Sequence, residues 1–181
     1  MGGSVDVEVA QWVAEHRVAT VTVICRRLED LGTSVTFFLV VGIICLVVAT
    51  WLRLWRYVPR ALLAVILSVL ACGQLKPRID RPRPAADLAL SMLSGPAMPS
   101  SHAMFTASAV TAVLLAPMWT SQQLHRLVMI VGITGCLISG AAMIYLGGHW
   151  LTDVLVGWLL GAGIAAAVMK VPTRRLSGRF V

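Results

Sequence analysis

His149 and Asp153 stand four residues apart, so on a helix they share one face. A carboxylate bonded to one imidazole nitrogen fixes the tautomer and leaves the other nitrogen free to attack an electrophile. The pair belongs to the run Gly147-Gly148-His149-Trp150-Leu151-Thr152-Asp153, which leads into an apolar stretch. An unpaired carboxylate at that depth is costly, which argues for a bonded partner. Metal binding is the obvious rival, but one His and one Asp are too few ligands, and no His-Glu-x-x-His motif occurs. A purely structural pair stays open at this point, and Trp150 reads more simply as an interface anchor.

Two further clusters carry chemistry. Lys76-Pro77-Arg78-Ile79-Asp80-Arg81-Pro82-Arg83-Pro84 gathers four cations between prolines, just past an apolar block. Guanidinium and ammonium groups so placed hold phosphoryl oxygens by charge-assisted hydrogen bonds. The same cluster would equally suit a lipid headgroup or a solvated basic loop. In Pro99-Ser100-Ser101-His102, Ser100 or Ser101 can cap the helix that follows. The unpaired amides and dipole of a helix N-terminus favour a phosphate, and His102 sits where it could protonate a leaving oxygen. An ordinary cap followed by an interfacial histidine is the alternative.

The elements that must position these residues are membrane helices. The chain has 181 residues, 58% hydrophobic and only 13% charged, too little charge to cover a soluble domain. Its apolar residues come in blocks long enough to cross a bilayer, such as Ser34–Leu52 and Leu127–Tyr145. The expected architecture is all-α, a single membrane-embedded domain over residues 1–181. Five transmembrane helices are expected at about Ser34–Leu52, Val58–Leu75, Ala103–Trp119, Leu124–Tyr145 and Trp150–Val171. One amphipathic interfacial helix, within residues 1–33, precedes them at about Val5–Leu31, too charged to span. The core is 34–171 and residues 172–181 form a tail.

Arg53, Arg56 and Arg60, then His125 and Arg126, then Lys170, Arg174, Arg175 and Arg179 mark three regions that five spans place on one side. The positive-inside rule makes that side cytoplasmic. All three chemical clusters then meet at the outer face of the cell membrane. The basic second loop violates the rule, and anion binding supplies a reason. The net charge of +7 is explained by topology and anionic headgroups, so no nucleic-acid partner is expected. Cys45, Cys72 and Cys136 fall in apolar blocks without metal-site spacing, and no structural disulfide is expected. The acidic start, Met1 to Ala10, shows no cleaved signal peptide.

With those residues in view, the sequence resembles the type-2 phosphatidic acid phosphatase (lipid phosphate phosphatase) superfamily, in particular its small bacterial members. The first family motif, Lys, six residues, Arg-Pro, is matched by Lys76 to Arg83-Pro84. The second, Pro-Ser-Gly-His, is matched by Pro99-Ser100-Ser101-His102 with Ser101 in place of glycine. Of the third, Ser-Arg, five residues, His, three residues, Asp, only His149 and Asp153 match, because Ala142 and Met143 replace the Ser-Arg pair. The resemblance implies metal-independent hydrolysis of a lipid phosphate with no cofactor. His149 would be the nucleophile forming a phosphohistidine, Asp153 its orienting carboxylate and His102 the acid. Lys76, Arg83, Ser100 and Ser101 would hold the phosphoryl oxygens, with Arg78 or Arg81 expected to fill the gap left by Met143. Partners implied are a lipid phosphate (polyprenyl-linked or glycerophospholipid) and membrane lipids. The alternative is a lipid-phosphate binding protein with weak or no turnover, because Met143 replaces the family arginine.

Overall fold

The computed structural model describes residues 3–51, 53–55, 57–116, 118–119 and 121–171, without side-chain detail at 33, 35, 37 and 38. The expected tail, 172–181, and Arg56 of the first loop lie outside the described residues. Among the described residues seven helices follow one another: α1 Ser4–Glu15, α2 Ala19–Thr33, α3 Val35–Trp51, α4 Val58–Ile79, α5 Ser101–Leu115, α6 Gln122–Tyr145 and α7 Leu151–Lys170. Among the described residues there is no strand. Helices α4, α6 and α7 are long and apolar enough to cross a membrane, while Leu39–Trp51 and Ser101–Leu115 are shorter apolar helices. This is a multi-pass, all-helical membrane protein.

The N-terminal segment differs from expectation: it forms two helices, not one. His16 ends α1, and Arg17 turns inward, its Nε donating to the Tyr145 carbonyl at 3.1 Å and its Nη2 to that of Leu88 at 2.6 Å. The Val18 amide donates to the Tyr145 hydroxyl at 2.7 Å. These bonds to a segment far along the chain draw the backbone out of helix between α1 and α2. Helix α4 is also longer than expected. It continues through Pro77 to Ile79 and stops at Asp80, which takes the left-handed conformation that Asp tolerates, with φ of 43°. Lys76 therefore projects from a helical turn and not from a loop.

Helix α7 packs chiefly on α5 and α4. The close approach of α5 and α7 depends on two glycines of α7. A Cβ added at Gly157 would lie 2.7 Å from the Ser100 carbonyl oxygen, and one at Gly161 would strike the Met104 carbonyl. Small residues at such a seam allow the backbone contact that holds helices together in lipid. The C-terminal ends of α4 and α6 and the N-terminal ends of α5 and α7 meet at one end of the bundle. The connection between Asp80 and Ser100 covers that end. Its middle is fastened by the Leu90 and Ser91 amides, which donate to the Leu146 carbonyl at 2.7 and 3.0 Å.

Candidate active site

His149 lies in the turn between α6 and α7, 2% exposed. Gly147 makes that turn possible, with φ of 68°. The Gly148 and His149 amides both donate to the Met143 carbonyl, at 3.0 and 3.3 Å, so the end of α6 fixes the turn. Asp153 occupies the first turn of α7, fully buried. Its Oδ2 accepts the Trp150 amide at 2.9 Å, a cap that sets the carboxylate before any ligand arrives. His149 Nδ1 faces the same Oδ2 at 3.6 Å, too long for a hydrogen bond. Arg83 Nη1 approaches His149 Nε2 at 3.3 Å from the other side. An arginine only donates, so Nε2 presents its lone pair and Nδ1 carries the proton, towards Asp153.

Burial pushes the His149 imidazole below its ordinary pKa, Asp153 opposes that shift, and the charges of Arg83 and Lys76 add to it. Burial therefore favours the neutral imidazole, the form that can act as a nucleophile.

Lys76 at the end of α4, Arg83 in the connection, and Ser100 to His102 at the start of α5 belong to the same end of the bundle. Lys76 Nζ donates to the Pro96 carbonyl at 2.7 Å. Arg83 is held by the carbonyls of Gly95, at 3.0 Å, and Gly148, at 2.5 Å, and also reaches that of Pro96 at 3.5 Å. Both cations are thus pinned by one stretch of backbone. Ser100 is the N-cap residue of α5, and its amide donates to the Asp153 carbonyl at 3.0 Å, which joins the starts of α5 and α7. Its side chain makes no cap bond. The Ser100 hydroxyl is buried without a partner among the described residues, a costly state for a polar group. Ser101 Oγ accepts from Cys72 Sγ at 3.5 Å. His102, in the first turn of α5, donates from Nε2 to the Gly32 carbonyl at the end of α2, at 2.7 Å.

Arg78 and Arg81 are not placed as the sequence suggested. Arg78 is exposed, and its Nη2 donates to Gln74 Oε1 at 3.5 Å. Arg81 reaches the site, but its Nη1 donates to Asp153 Oδ1 and to Thr152 Oγ1, both at 2.6 Å, and its Nη2 is paired with Asp6. Both of its terminal nitrogens are engaged by protein oxygens. Nor is there a gap at Met143 to fill. That side chain is 1% exposed, packed with Cys25, Ala142 and Leu146 and flanked by Leu28, Leu90 and Leu93.

Asp6 is the residue that sequence reasoning missed. It lies in the first turn of α1, where a carboxylate is unremarked because the helix dipole favours one. It is 2% exposed and accepts the Thr152 amide at 3.0 Å and the Thr152 hydroxyl at 2.7 Å. Burial works against its charge, but the bonds from Thr152 and Arg81 outweigh burial and hold its carboxyl below the ordinary range.

The PAP2 superfamily profile matches residues 57–177, about two thirds of the sequence. The chain belongs to the PAP2 superfamily. An undecaprenyl-diphosphatase of Sulfolobus acidocaldarius is 34% identical over 74 residues, a match that spans 40% of this chain and 32% of that protein. Two solved structures share the PAP2 fold. The PAP2-type phosphatidylglycerolphosphate phosphatase of Bacillus subtilis superposes with a TM-score of 0.77 at 24% identity, over 95% of this chain and 88% of that one. Aquifex aeolicus LpxE superposes with a TM-score of 0.73 at 23% identity, over 91% of this chain and 94% of its own.

Proposed function

We propose that the protein is a lipid phosphate phosphatase in which His149 takes the phosphoryl group as a phosphohistidine, without a metal. The observation that carries this reading is the set of His149: a buried imidazole with Nδ1 towards Asp153 and Nε2 towards Arg83. Nε2 attacks phosphorus while the bond to the leaving oxygen breaks. Lys76, Arg83, the Ser100 hydroxyl and the first amides of α5 take the non-bridging oxygens, and Asp153 stabilises the imidazolium that forms. His102 passes its proton to the leaving oxygen after releasing the Gly32 carbonyl. It then takes a proton from the water that cleaves the N–P bond, which returns phosphate and free His149. Acid–base help of this kind is worth ~100- to 10,000-fold.

The substrate class follows from the surroundings. The names of the relatives, undecaprenyl-diphosphatase and phosphatidylglycerolphosphate phosphatase, support a phosphate or diphosphate on an apolar tail. An apolar groove of about 270 Å³ runs between α5, α6 and α7, lined by residues such as Val110, Leu137 and Trp158, and suits such a tail. On this reading α3 to α7 are the five spans and α1 and α2 lie at the interface. The basic loops and tail face the cytoplasm, and the site opens on the outer face of the cell membrane.

Met143 favours a second reading. Its burial among apolar side chains puts no cation where the family motif has one, and losing one donor to an oxyanion commonly costs about 100- to 1,000-fold. The protein would then bind a lipid phosphate with little turnover. Phosphate release by purified protein in detergent with EDTA, on phosphatidic, phosphatidylglycerol and polyprenyl phosphates, separates the two. Release that survives EDTA and vanishes in His149→Ala supports the enzyme. Binding without release on every lipid moves the protein to the second class, and release that survives His149→Ala refutes the histidine mechanism.

A further inference from the structure

Asp153 is bonded on both oxygens. Oδ2 takes the Trp150 amide and faces His149, and Oδ1 takes Arg81. An arginine in direct contact with the carboxylate that must stabilise an imidazolium works against the reaction, because the pair Asp153–Arg81 is neutral. The third member corrects this. Asp6, from the opposite end of the chain, pairs with the other terminal nitrogen of Arg81, so the cluster carries one net negative charge. Asp6 also accepts the Thr152 amide and hydroxyl, and so fastens α1 to the first turn of α7, the turn that carries Asp153. Arg81 lies over the Trp150 ring, 5.8 Å from its centroid, with its side chain 12% exposed.

We propose that Asp6 and Arg81 are positioning residues for the reaction: Arg81 locks the orientation of Asp153, and Asp6 restores the negative charge that Arg81 would cancel behind His149. This rests on the histidine mechanism above. The N-terminal helix is then part of the catalytic apparatus, since buried ion clusters act through the charge and geometry they impose. The other charged groups facing His149 are Asp153 of α7, Lys76 of α4 and Arg83 of the α4–α5 connection. Glu29 of α2 acts on Arg83 and on His102 of α5. None of these is altered in the variants below.

The test is charge cancellation. In full-length protein labelled at histidine, the His149 resonance is assigned by its loss in His149→Ala and titrated by NMR. The acid limb of phosphate release from phosphatidic acid in mixed micelles is measured in parallel. Asp6→Asn removes a negative charge, so the His149 titration and the acid limb move down, by about half a pH unit or more. Arg81→Gln removes a positive charge and moves both up. The double variant restores one net negative charge and returns both towards wild type, with kcat still at least tenfold low and KM little changed. Shifts of one sign in both single variants, or no shift in either, overturn the proposal. If the charge variants cannot be purified, Thr152→Val decides, since it removes a hydroxyl bonded to both Asp6 and Arg81. A drop of about tenfold in kcat at unchanged KM supports the proposal, and unchanged kcat overturns it. An active His149→Ala would instead sink the histidine mechanism, whatever the titrations do.

Discussion

Gly157→Ala is the most direct probe of how the helix seam sets the site. A Cβ there would sit 2.7 Å from the Ser100 carbonyl oxygen and 2.9 Å from Ala103 Cβ, where ordinary contact begins at 3.4 Å. Neither neighbour is the flexible end of a side chain, so α5 and α7 must part by roughly 0.7 Å at the level of the site. Misplacement by about 1 Å can cost 100-fold in rate, so phosphate release should fall by about 10- to 100-fold. Overpacking costs about 1–3 kcal/mol, offset by ~1 kcal/mol from the better helix propensity of Ala, a net loss of up to roughly 2 kcal/mol. Gly163, on the same helix, has nothing within 4 Å of its added Cβ, so Gly163→Ala is the control and should change neither property by more than ~1 kcal/mol. The assay is thermal unfolding in detergent beside phosphate release. If Gly157→Ala matches Gly163→Ala in both, the seam does not set the distance between the starts of α5 and α7, and the reasoning is refuted.

Two further outcomes follow from the site. Met143→Arg, which restores the family residue, should lower stability by about 3 kcal/mol or more and not raise turnover, because the side chain enters an apolar cluster without a counter-ion. Thermal unfolding checks it, and a stable, faster variant would show that the cluster opens for a cation. The acid limb of kcat/KM should lie below the ordinary histidine pKa of about 6.5, since burial lowers that of His149 and the neutral form is the nucleophile. Activity is then lost only as pH falls through the depressed value. A pH–rate profile with its limb above 7 would contradict the assignment.

The parts of the site legible in the sequence are those written by short spacing. Ser100 to His102 open α5 as the proline, serine and apolar run suggested, and His149 and Asp153 do face each other, but His149 precedes the N-cap Trp150 of α7, so the turn after α6 and not a shared helix face brings them together. The break at Arg17 and the role of Asp6 were not legible. Arg17 is set by carbonyls of Tyr145 and Leu88, and Asp6 by Thr152 and Arg81, none of them near in sequence. A backbone carbonyl as partner leaves no trace in residue type at all. Arg81 was misread for a related reason. Its type and place in a basic run fit anion binding, and only the buried carboxylates on either side reveal that its anions are internal.

That difference alters how the basic cluster should be counted. Of its four cations, Arg78 lies exposed on Gln74 and Arg81 is matched by Asp6 and Asp153, which leaves Lys76 and Arg83 for a substrate. Both already lie against carbonyls of one short stretch, Ser94 to Pro96, so they are held in place without an anion. On the proposed mechanism, two fixed cations and the α5 amides face a phosphoryl group of about two negative charges. A third cation at residue 143 would add attraction for the bound phosphate as well as for the transition state. Only attraction that grows as the reaction proceeds raises the rate. Met143 is therefore compatible with turnover if the groups that see the largest change in charge, Asp153 behind the forming imidazolium and His102 beside the leaving oxygen, keep their positions. Asp153 is held by Asp6 and Arg81, of which only Arg81 lies in the three motifs, while His102 rests on the Gly32 carbonyl and comes to the leaving oxygen when that bond is released.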